Sequence, residues 1–248
     1  MTKMEAAARA GERHFERFAL NQRIQHVLLM ASFFVLVITG FPVRYAGVPV
    51  SSEVIGFLGG FTARGIIHRA AAIVLIGLTV YHMFYVMHSK VGHSDFLALI
   101  PNKKDIRDVI NMLKFYFGLT SDRPKFDRFN FVEKLEYASV AWGSVIMIGT
   151  GAVLWFEEQA MLILPKWTLD IANVVHSYEA LLAFLAIIVW HFYHVHLNPE
   201  AFPMSRVWLT GKMSETEMRE QHPLEYERLT NQRPDTIERV RPKAEAEK

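Results

Sequence analysis

The sequence predicts an all-α membrane protein: a bundle of four transmembrane helices, built from a duplicated two-helix hairpin, with both termini in the cytoplasm. Three observations lead to this prediction. The chain of 248 residues contains four long apolar runs, its Lys and Arg residues are concentrated in alternate connections between the runs, and the second pair of runs resembles the first.

Each apolar run is long enough to cross a bilayer, which takes about 20 apolar residues. The runs cover 27–43, 66–87, 137–156 and 171–197 and are nearly free of charged residues. Helices buried in a soluble bundle would show a polar face at every turn, and these runs do not. The first run follows a polar and charged segment, so we expect a membrane anchor and not a cleaved signal peptide.

The basic residues indicate which connections face the cytoplasm. Residues 1–23 hold five Lys and Arg, the 88–132 connection holds eight and residues 197–248 hold nine, whereas the other two connections hold two and one. Positive residues are retained on the cytoplasmic side. The formal net charge of +2 therefore reflects topology and contact with anionic membrane lipid, and it gives no indication of nucleic-acid binding.

The same pattern divides the chain into three parts. We expect a cytoplasmic N-terminal segment (1–22), a transmembrane domain (23–197) that includes the cytoplasmic loop 88–132, and a cytoplasmic tail (198–248). In the first part, GERHFERFALNQR fits either a short amphipathic helix on the membrane surface or a solvated tail.

Two further segments outside the spans have a recognisable character. The 98–119 stretch predicts an amphipathic interfacial helix that starts after Pro101. Residues 233–248 are charged and contain prolines, which is typical of a solvated extension.

The first and third runs align over their whole length. Residues 22–41 lie over 133–152, which brings Thr39-Gly40 onto Thr150-Gly151 and His26 onto Tyr137. The second and fourth runs also begin and end alike: His68 matches His176, and His82 matches His191 with a slip of one residue. We interpret this as the duplication of one hairpin of two spans.

Histidines are the chemically informative residues of this chain. It has 11 histidines and no cysteine, so disulfides, iron–sulfur ligation and c-type haem attachment are excluded. Ionisable groups inside a bilayer are costly unless they are paired or functional. Histidines nevertheless lie in or next to the apolar runs, among them His26, His68, His82, His176, His191, His194 and His196.

Their spacing suggests two haem sites. An α-helix turns about 100° per residue, so the histidines at the two ends of the second run, and those at the two ends of the fourth, lie close to one face. Bis-imidazole ligation of haem iron needs two nitrogens from facing helices at one depth. The predicted topology pairs His68 with His176 at the outer surface and His26 with a histidine of the fourth run at the cytoplasmic surface.

The residues resemble the four-helix di-haem cytochrome b subunits of respiratory formate dehydrogenase and nickel–iron hydrogenase, across most of residues 12–228. Shared features are Arg23 and His26 with a Thr-Gly at 39–40, His68, PNKKDI at 101–106, Phe129-Asn130, two histidines in the fourth run, GKMS at 211–214 and HPLEY at 222–226. The run WHFYHVH with Asn198-Pro199-Glu200 is more similar to a subgroup found with multihaem cytochromes c.

The resemblance implies a membrane-anchoring electron-transfer subunit of a quinone-linked oxidoreductase complex, a multi-pass protein of the bacterial cytoplasmic (inner) membrane. It implies two haem b groups, held by His26 with His191 and by His68 with His176. The spacing of 15 residues between His176 and His191, where the formate enzyme's family has 14, leaves His194 as the alternative ligand. The extra His82 is a spare ligand, a propionate or quinone contact, or a ligand of a third haem with His194.

The resemblance also implies two partners: a protein that carries redox centres which this cysteine-free chain cannot hold, and a quinone. An extracytoplasmic iron–sulfur or multihaem cytochrome c subunit exchanges electrons at the outer face, and a quinone, menaquinone or ubiquinone, binds beside the inner haem. Asn130 aligns with the family's quinone-contacting asparagine, and Glu133 suits proton exchange. Both residues equally suit an N-cap and first-turn dipole compensation.

Several charged residues near the histidines are candidates for the haem propionates. Arg69 is expected to meet a propionate or Glu179, because a charge at that depth needs a partner. Arg23, Arg44 and Arg64 are further candidates.

Two other classes of protein compete with the haem hypothesis. An integral-membrane di-iron oxygenase, of the desaturase kind, would explain the clustered histidines near 88–93 and 191–196. It would leave His68 and His176 unexplained, because di-iron ligands must be gathered on one side. A haem-free anchor or transporter is the third class.

Overall fold

The computed structural model describes residues 13–199 and 201–232, which are almost entirely helical. Among these residues, four helices are long and apolar enough to cross a membrane: Leu20–Arg44, Gly60–His88, Phe131–Trp155 and Trp167–Leu197. We call them the first to fourth spans. The predicted fold class, an all-α four-helix membrane bundle, is confirmed, and the cytoplasmic placement of the termini stays a prediction.

The spans extend beyond the predicted apolar runs because the flanking polar residues continue the helices. Gln22 stabilises the start of the first span by accepting a hydrogen bond from the Ala19 backbone N–H at 2.8 Å. The second span begins after Gly59, whose φ of +87° is one that a residue with a Cβ rarely adopts.

The fourth span changes helix type before its functional histidine. It is α-helical over Trp167–Leu185 and π-helical over Ala186–His191 and Tyr193–Leu197. A π-turn inserts one residue into an α-helix and is frequent at functional sites. The insertion accounts for the spacing of 15 residues between His176 and His191. With one residue taken up by the π-turn, the two histidines are oriented as they would be 14 residues apart in a regular α-helix.

Shorter helices connect and follow the spans. Asn102 caps the helix that the sequence predicts after Pro101, accepting from the Lys104 backbone N–H at 2.8 Å. The remaining helices were not predicted. In chain order the short helices are Pro49–Phe57, Lys90–Leu99, Lys103–Tyr116, Glu157–Ile163, Val207–Thr210, Glu215–Gln221 and Pro223–Gln232.

The described chain forms two compact units. The first unit comprises residues 13–17, 97–135 and 212–232, and the second comprises 18–96, 136–199 and 201–211. The candidate haem ligands all belong to the second unit.

In the first unit, the predicted amphipathic helix near the N-terminus is wrong for the part that can be seen. His14–Glu16 is a short strand that pairs antiparallel with Lys212–Ser214. The Phe15 ring packs edge-on against Tyr226, with the ring centroids 5.8 Å apart, so pairing and packing override helix formation. Residues 1–12, and the predicted extension at 233–248, lie outside the described residues.

A buried polar network holds the three segments of the first unit together. Glu225 accepts from both Arg17 and Arg128, and Arg17 and Arg128 each donate to the other's backbone carbonyl. Burial, and after it the charge of Arg17, lowers the pKa of His222 to about 3. His222 therefore stays neutral, donating from Nδ1 to the Asp127 carbonyl at 2.7 Å and accepting from Arg17 at 3.1 Å.

Candidate functional site

The histidines near the start of the second and fourth spans are held in the same way. His68 Nδ1 lies 2.8 Å from Thr39 Oγ1, and His176 Nδ1 lies 2.9 Å from Thr150 Oγ1. The glycine after each threonine gives the imidazole room: a Cβ would lie 3.4 Å from His68 Cε1 at position 40 and 3.3 Å from His176 Cε1 at position 151. The sequence duplication is thus also a duplication of contacts.

The threonine contacts determine which imidazole nitrogen is available. Thr39 Oγ1 donates its proton to the Val35 carbonyl at 2.6 Å, and Thr150 Oγ1 donates to the Ile146 carbonyl at 2.7 Å. A hydroxyl has one proton, so each threonine accepts from an imidazole Nδ1–H. Both histidines then present an unprotonated Nε2, the form that binds a metal.

His68 lies near the start of the second span, and His176 lies near the start of the fourth. We call them the outer pair, after the predicted topology. Their shared threonine support, and their shared place at one end of the bundle, fit two axial ligands of one haem.

His26 and His191 form a second pair, which we call the inner pair. Their ring centroids are 6.4 Å apart, with 49° between the ring planes. Two imidazoles on opposite sides of one metal, each with a metal–nitrogen bond of about 2 Å, have centroids roughly 6 Å apart. The separation therefore suits ligation of one metal by both imidazoles.

The two members of the inner pair are supported differently. His191 Nδ1 lies 3.0 Å from Glu136 Oε2, so Nδ1–H donates to a carboxylate and Nε2 is available. His26 makes no hydrogen bond within the described residues, and its Nδ1 is buried without a partner. Its ring lies beside the indole of Trp208, at a centroid distance of 5.9 Å.

His82 does not have a nitrogen available for a metal. Its Nδ1 lies 2.7 Å from Gln25 Oε1, and its Nε2 lies 2.9 Å from the Tyr137 hydroxyl. Because Gln25 Nε2 donates to Asn21, its oxygen is the acceptor for His82 Nδ1–H, and the tyrosine O–H donates to Nε2. The arrangement leaves His82 with a hydrogen-bonding role and no ligation.

His194 is turned away from the inner pair. Its Nδ1 donates to the Trp190 carbonyl one turn earlier at 2.8 Å, and its ring packs on the Trp190 indole at 4.8 Å between centroids. The structure thus brings His191, and not His194, to His26. Within residues 13–199 and 201–232, His82 and His194 make no contact that would support a third haem between them.

Two arginines, Arg23 and Arg64, each lie one helical turn before a candidate ligand of the first hairpin, His26 and His68 respectively. The Nε atoms of Arg23 and Arg64 are buried and have no hydrogen-bond partner among the described residues. Arg23 also donates to the Leu209 carbonyl, and Arg64 donates to the Thr39 carbonyl at 2.9 Å. Carboxylates such as haem propionates would satisfy the remaining donors.

Arg69 lies over the Trp155 ring, with its guanidinium carbon 5.4 Å from the centroid. The expected alternative, an ion pair of Arg69 with Glu179, is wrong: the described residues contain no such pair, and Glu179 Oε1 instead lies 3.0 Å from where a Cβ on Gly143 would be. Cation–π contact with an aromatic ring compensates the charge at this position. Arg44 lies in the same manner over Tyr178, at 5.3 Å.

Asn130 and Glu133 form a helix cap in the first unit. Asn130 Oδ1 accepts from the Glu133 backbone N–H at 2.9 Å, and Glu133 Oε2 accepts from the Asn130 backbone N–H at 2.8 Å. The capping role that the sequence offered as an alternative is therefore present. It uses the amide oxygen of Asn130 and leaves its NH₂ group without a partner among the described residues.

Sequence reasoning missed the residues that orient the ligands. Thr39 and Thr150 were noticed as a match but given no role, and Gln25 and Glu136 were given none. The signal was present in the alignment of 22–41 with 133–152, which superposes Gln25 on Glu136. What the sequence could not give is the contact of each with a particular imidazole nitrogen.

Comparison with known families gives one match. Residues 17–202, three quarters of the chain, match the model of a family described as prokaryotic cytochrome b561, and this confirms the resemblance to the nickel–iron hydrogenase cytochrome b family. No curated protein matches the chain. With four membrane spans and histidine pairs suited to haem, the chain belongs to the prokaryotic cytochrome b561 family, integral membrane cytochromes b that bind haem b and take part in transmembrane electron transfer.

Proposed function

We propose that this protein is a di-haem subunit that carries electrons across the membrane, with one haem b on the outer pair and one on the inner pair. The observation that carries the proposal is the geometry of the ligands. Three of the four imidazoles donate Nδ1–H to a fixed acceptor and so present Nε2. The fourth, His26, makes no hydrogen bond to any residue that the structure describes, so none of these competes with ligation.

The position of the pairs makes the electron transfer transmembrane. His68 and His176 lie near the start of the second and fourth spans, whereas His26 lies near the start of the first and His191 near the end of the fourth. The two pairs therefore belong to opposite ends of the same helices. Haem supplies one-electron chemistry at each end, and the protein holds and orients it.

The chain has no cysteine, which supports exchange of electrons with a separate protein. We propose an extracytoplasmic iron–sulfur or multihaem cytochrome c subunit at the outer pair and a quinone at the other end of the route. The distribution of Lys and Arg supports a bacterial inner membrane location with the outer pair facing away from the cytoplasm.

Arg23 and Arg64 are proposed as propionate partners. Each has a buried unpaired Nε, and each precedes a ligand of a different pair by one helical turn. Arg69 stays a predicted propionate partner, because its guanidinium keeps its N–H donors while it lies over the Trp155 ring.

A difference spectrum of reduced minus oxidised protein tests the proposal. Two b-type components, titrating as one-electron couples, are the expected result. The di-iron alternative is disfavoured because the described residues contain no group of three or more His, Asp or Glu side chains positioned to share a metal ion. Absence of a haem signal in purified membranes would overturn the proposal.

The quinone contact is proposed at Asn130, with Glu133 as the group that exchanges protons with water. The unpartnered NH₂ of Asn130 can donate to a quinone oxygen. We expect Asn130→Ala or Glu133→Gln to slow quinone-dependent oxidation or reduction of the haems at least several-fold while both haems remain.

Loss of the helix cap itself is controlled with Asn102→Ala. Asn102 and Asp105 form the same reciprocal cap at another helix of the first unit, so this variant loses a cap without losing a quinone contact. Quinone kinetics that change equally in Asn102→Ala and Asn130→Ala would assign Asn130 to capping alone.

A further inference from the structure

The hydrogen bonds around His82 reproduce those around His191 in the other half of the duplication. Gln25 superposes on Glu136 in the aligned sequences, and His82 corresponds to His191 with a slip of one residue. Gln25 Oε1 lies 2.7 Å from His82 Nδ1, and Glu136 Oε2 lies 3.0 Å from His191 Nδ1. Each hairpin thus uses the same position of its first helix to orient a histidine of its second helix.

The partners of the two imidazoles are also related by the duplication. His191 faces His26 across the hairpins, at 6.4 Å between ring centroids, and His82 faces Tyr137, at 5.8 Å. His26 and Tyr137 are aligned residues. The bundle therefore contains two pseudo-equivalent sites, His26 with His191 and Tyr137 with His82.

Of the four rings in these two sites, only that of Tyr137 is not an imidazole. A tyrosine hydroxyl donates to His82 Nε2 at 2.9 Å, which uses the lone pair that a metal would need. The slip of one residue between His82 and His191 in the alignment does not make the two sites inequivalent. The π-turn that ends at His191 contains the one extra residue.

We infer that Gln25 and His82 form a latent half-site for an axially ligated b-type haem, and that Tyr137 closes this half-site and thereby selects the His26–His191 pair. The inference rests on the proposed assignment of the inner haem to His26 and His191. It predicts that the choice of pair is reversible, because the second imidazole is already oriented and lacks only an opposing ligand.

The test moves the opposing histidine from one site to the other in the full-length protein. Four variants are compared in membranes: His26→Ala, His26→Ala/Tyr137→His, His26→Ala/Tyr137→Phe, and His26→Ala/Tyr137→His/His82→Ala. The haem content and the low-spin electron paramagnetic resonance spectrum are measured, and the outer haem serves as the control for folding.

We expect one haem in His26→Ala and two in His26→Ala/Tyr137→His, the second with bis-imidazole ligation. Phenylalanine at 137 cannot ligate and should leave one haem, and removal of His82 from the rescued variant should return the count to one. Failure of histidine at 137 to restore the haem, with the outer haem intact, overturns the inference. Retention of both haems in His26→Ala would instead overturn the proposed inner pair.

A variant that loses the outer haem as well has failed to fold, and a gentler substitution then decides. Tyr137→His with His26 retained should give two inner low-spin species, because either pair can bind. A single inner species identical to that of the unmodified protein overturns the inference.

Discussion

The outer and inner histidine pairs are both proposed to hold a haem b, but the hydrogen-bond partners of their imidazole Nδ1 atoms differ. Both members of the outer pair donate to a threonine hydroxyl, an uncharged acceptor that is itself engaged with a backbone carbonyl. In the inner pair, His191 donates to the Glu136 carboxylate, and His26 has no hydrogen-bond partner in the part of the chain that the structure describes. The two imidazoles of the outer pair thus have the same uncharged acceptor, whereas the one acceptor observed in the inner pair is a carboxylate.

The difference teaches that duplication preserved the outer site and let the inner site diverge. The outer pair combines one histidine from each hairpin at equivalent positions, so a single threonine–glycine–histidine set serves twice. The inner pair combines non-equivalent positions, so its ligands could acquire different neighbours. A carboxylate on Nδ1–H makes an imidazole more basic and favours ferric iron, so the inner haem should have the lower reduction potential for a given environment.

The largest effect that would test this comparison is the loss of a whole haem. His68→Ala and His176→Ala should each remove the same spectral component, about half of the b-type absorbance, and His26→Ala and His191→Ala should each remove the other. The reason is that each haem needs both axial nitrogens.

His194→Ala is the matched control, because His194 lies one turn from His191 and packs on Trp190. It should retain both haems. If His68→Ala and His176→Ala were to lose different components, the pairing and the comparison built on it would both be wrong.

The sequence was sufficient for features that repeat or that follow from composition. The four spans are visible as apolar runs, and the threonine–glycine–histidine set was visible because it occurs twice. Physical periodicity and duplication are properties of the chain itself, so they need no coordinates.

The features that sequence analysis missed depend on three-dimensional contacts or on a local change in helix type. Sequence analysis assigned His191, with His194 as the alternative, but it did not predict the π-helical segment that ends at His191, because no residue pattern indicates one. The N-terminal strand forms because His14–Glu16 meets Lys212–Ser214, which lie some 200 residues apart in the sequence, and such a pairing overrides local propensity. That both imidazole nitrogens of His82 are hydrogen-bonded likewise could not be predicted, because it depends on where the fold places Tyr137.

A smaller effect than haem loss is expected from the charge on Glu136. Glu136→Gln retains the size of the side chain and an acceptor oxygen but removes the charge. A unit charge one imidazole away from the iron is worth roughly 2 kcal/mol at an effective dielectric constant of about 20, which is on the order of 100 mV for one electron. We expect the inner potential to rise by up to this amount in a redox titration at constant pH, with the outer potential unchanged.

Glu136→Asp and Glu136→Asn provide the control for this substitution, since they differ from each other only in charge. Asn at this position should give the higher inner potential. Equal potentials in the two variants would show that the carboxylate only positions His191, and the contrast between a charged and an uncharged Nδ1–H acceptor would fail.

The smallest effect is expected at the outer pair. Thr39→Val or Thr150→Val removes the acceptor of one Nδ1–H and leaves a side chain of similar shape. A neutral hydrogen bond contributes about 1 kcal/mol in total, and only the part that differs between ferric and ferrous iron shifts the potential, so we expect a rise on the order of a few tens of mV.

Ser32→Ala is the control for these threonine variants. Ser32 lies in the first span and donates to the Leu28 carbonyl at 2.8 Å without contacting a histidine, so its removal should leave both potentials unchanged. Because Thr39 and Thr150 occupy equivalent positions, their variants should shift the same haem by similar amounts, and the double variant should shift it by about the sum. Shifts in two different haems would mean that the equivalent contacts of the two hairpins do not serve one cofactor, and the symmetric description of the outer site would have to be abandoned.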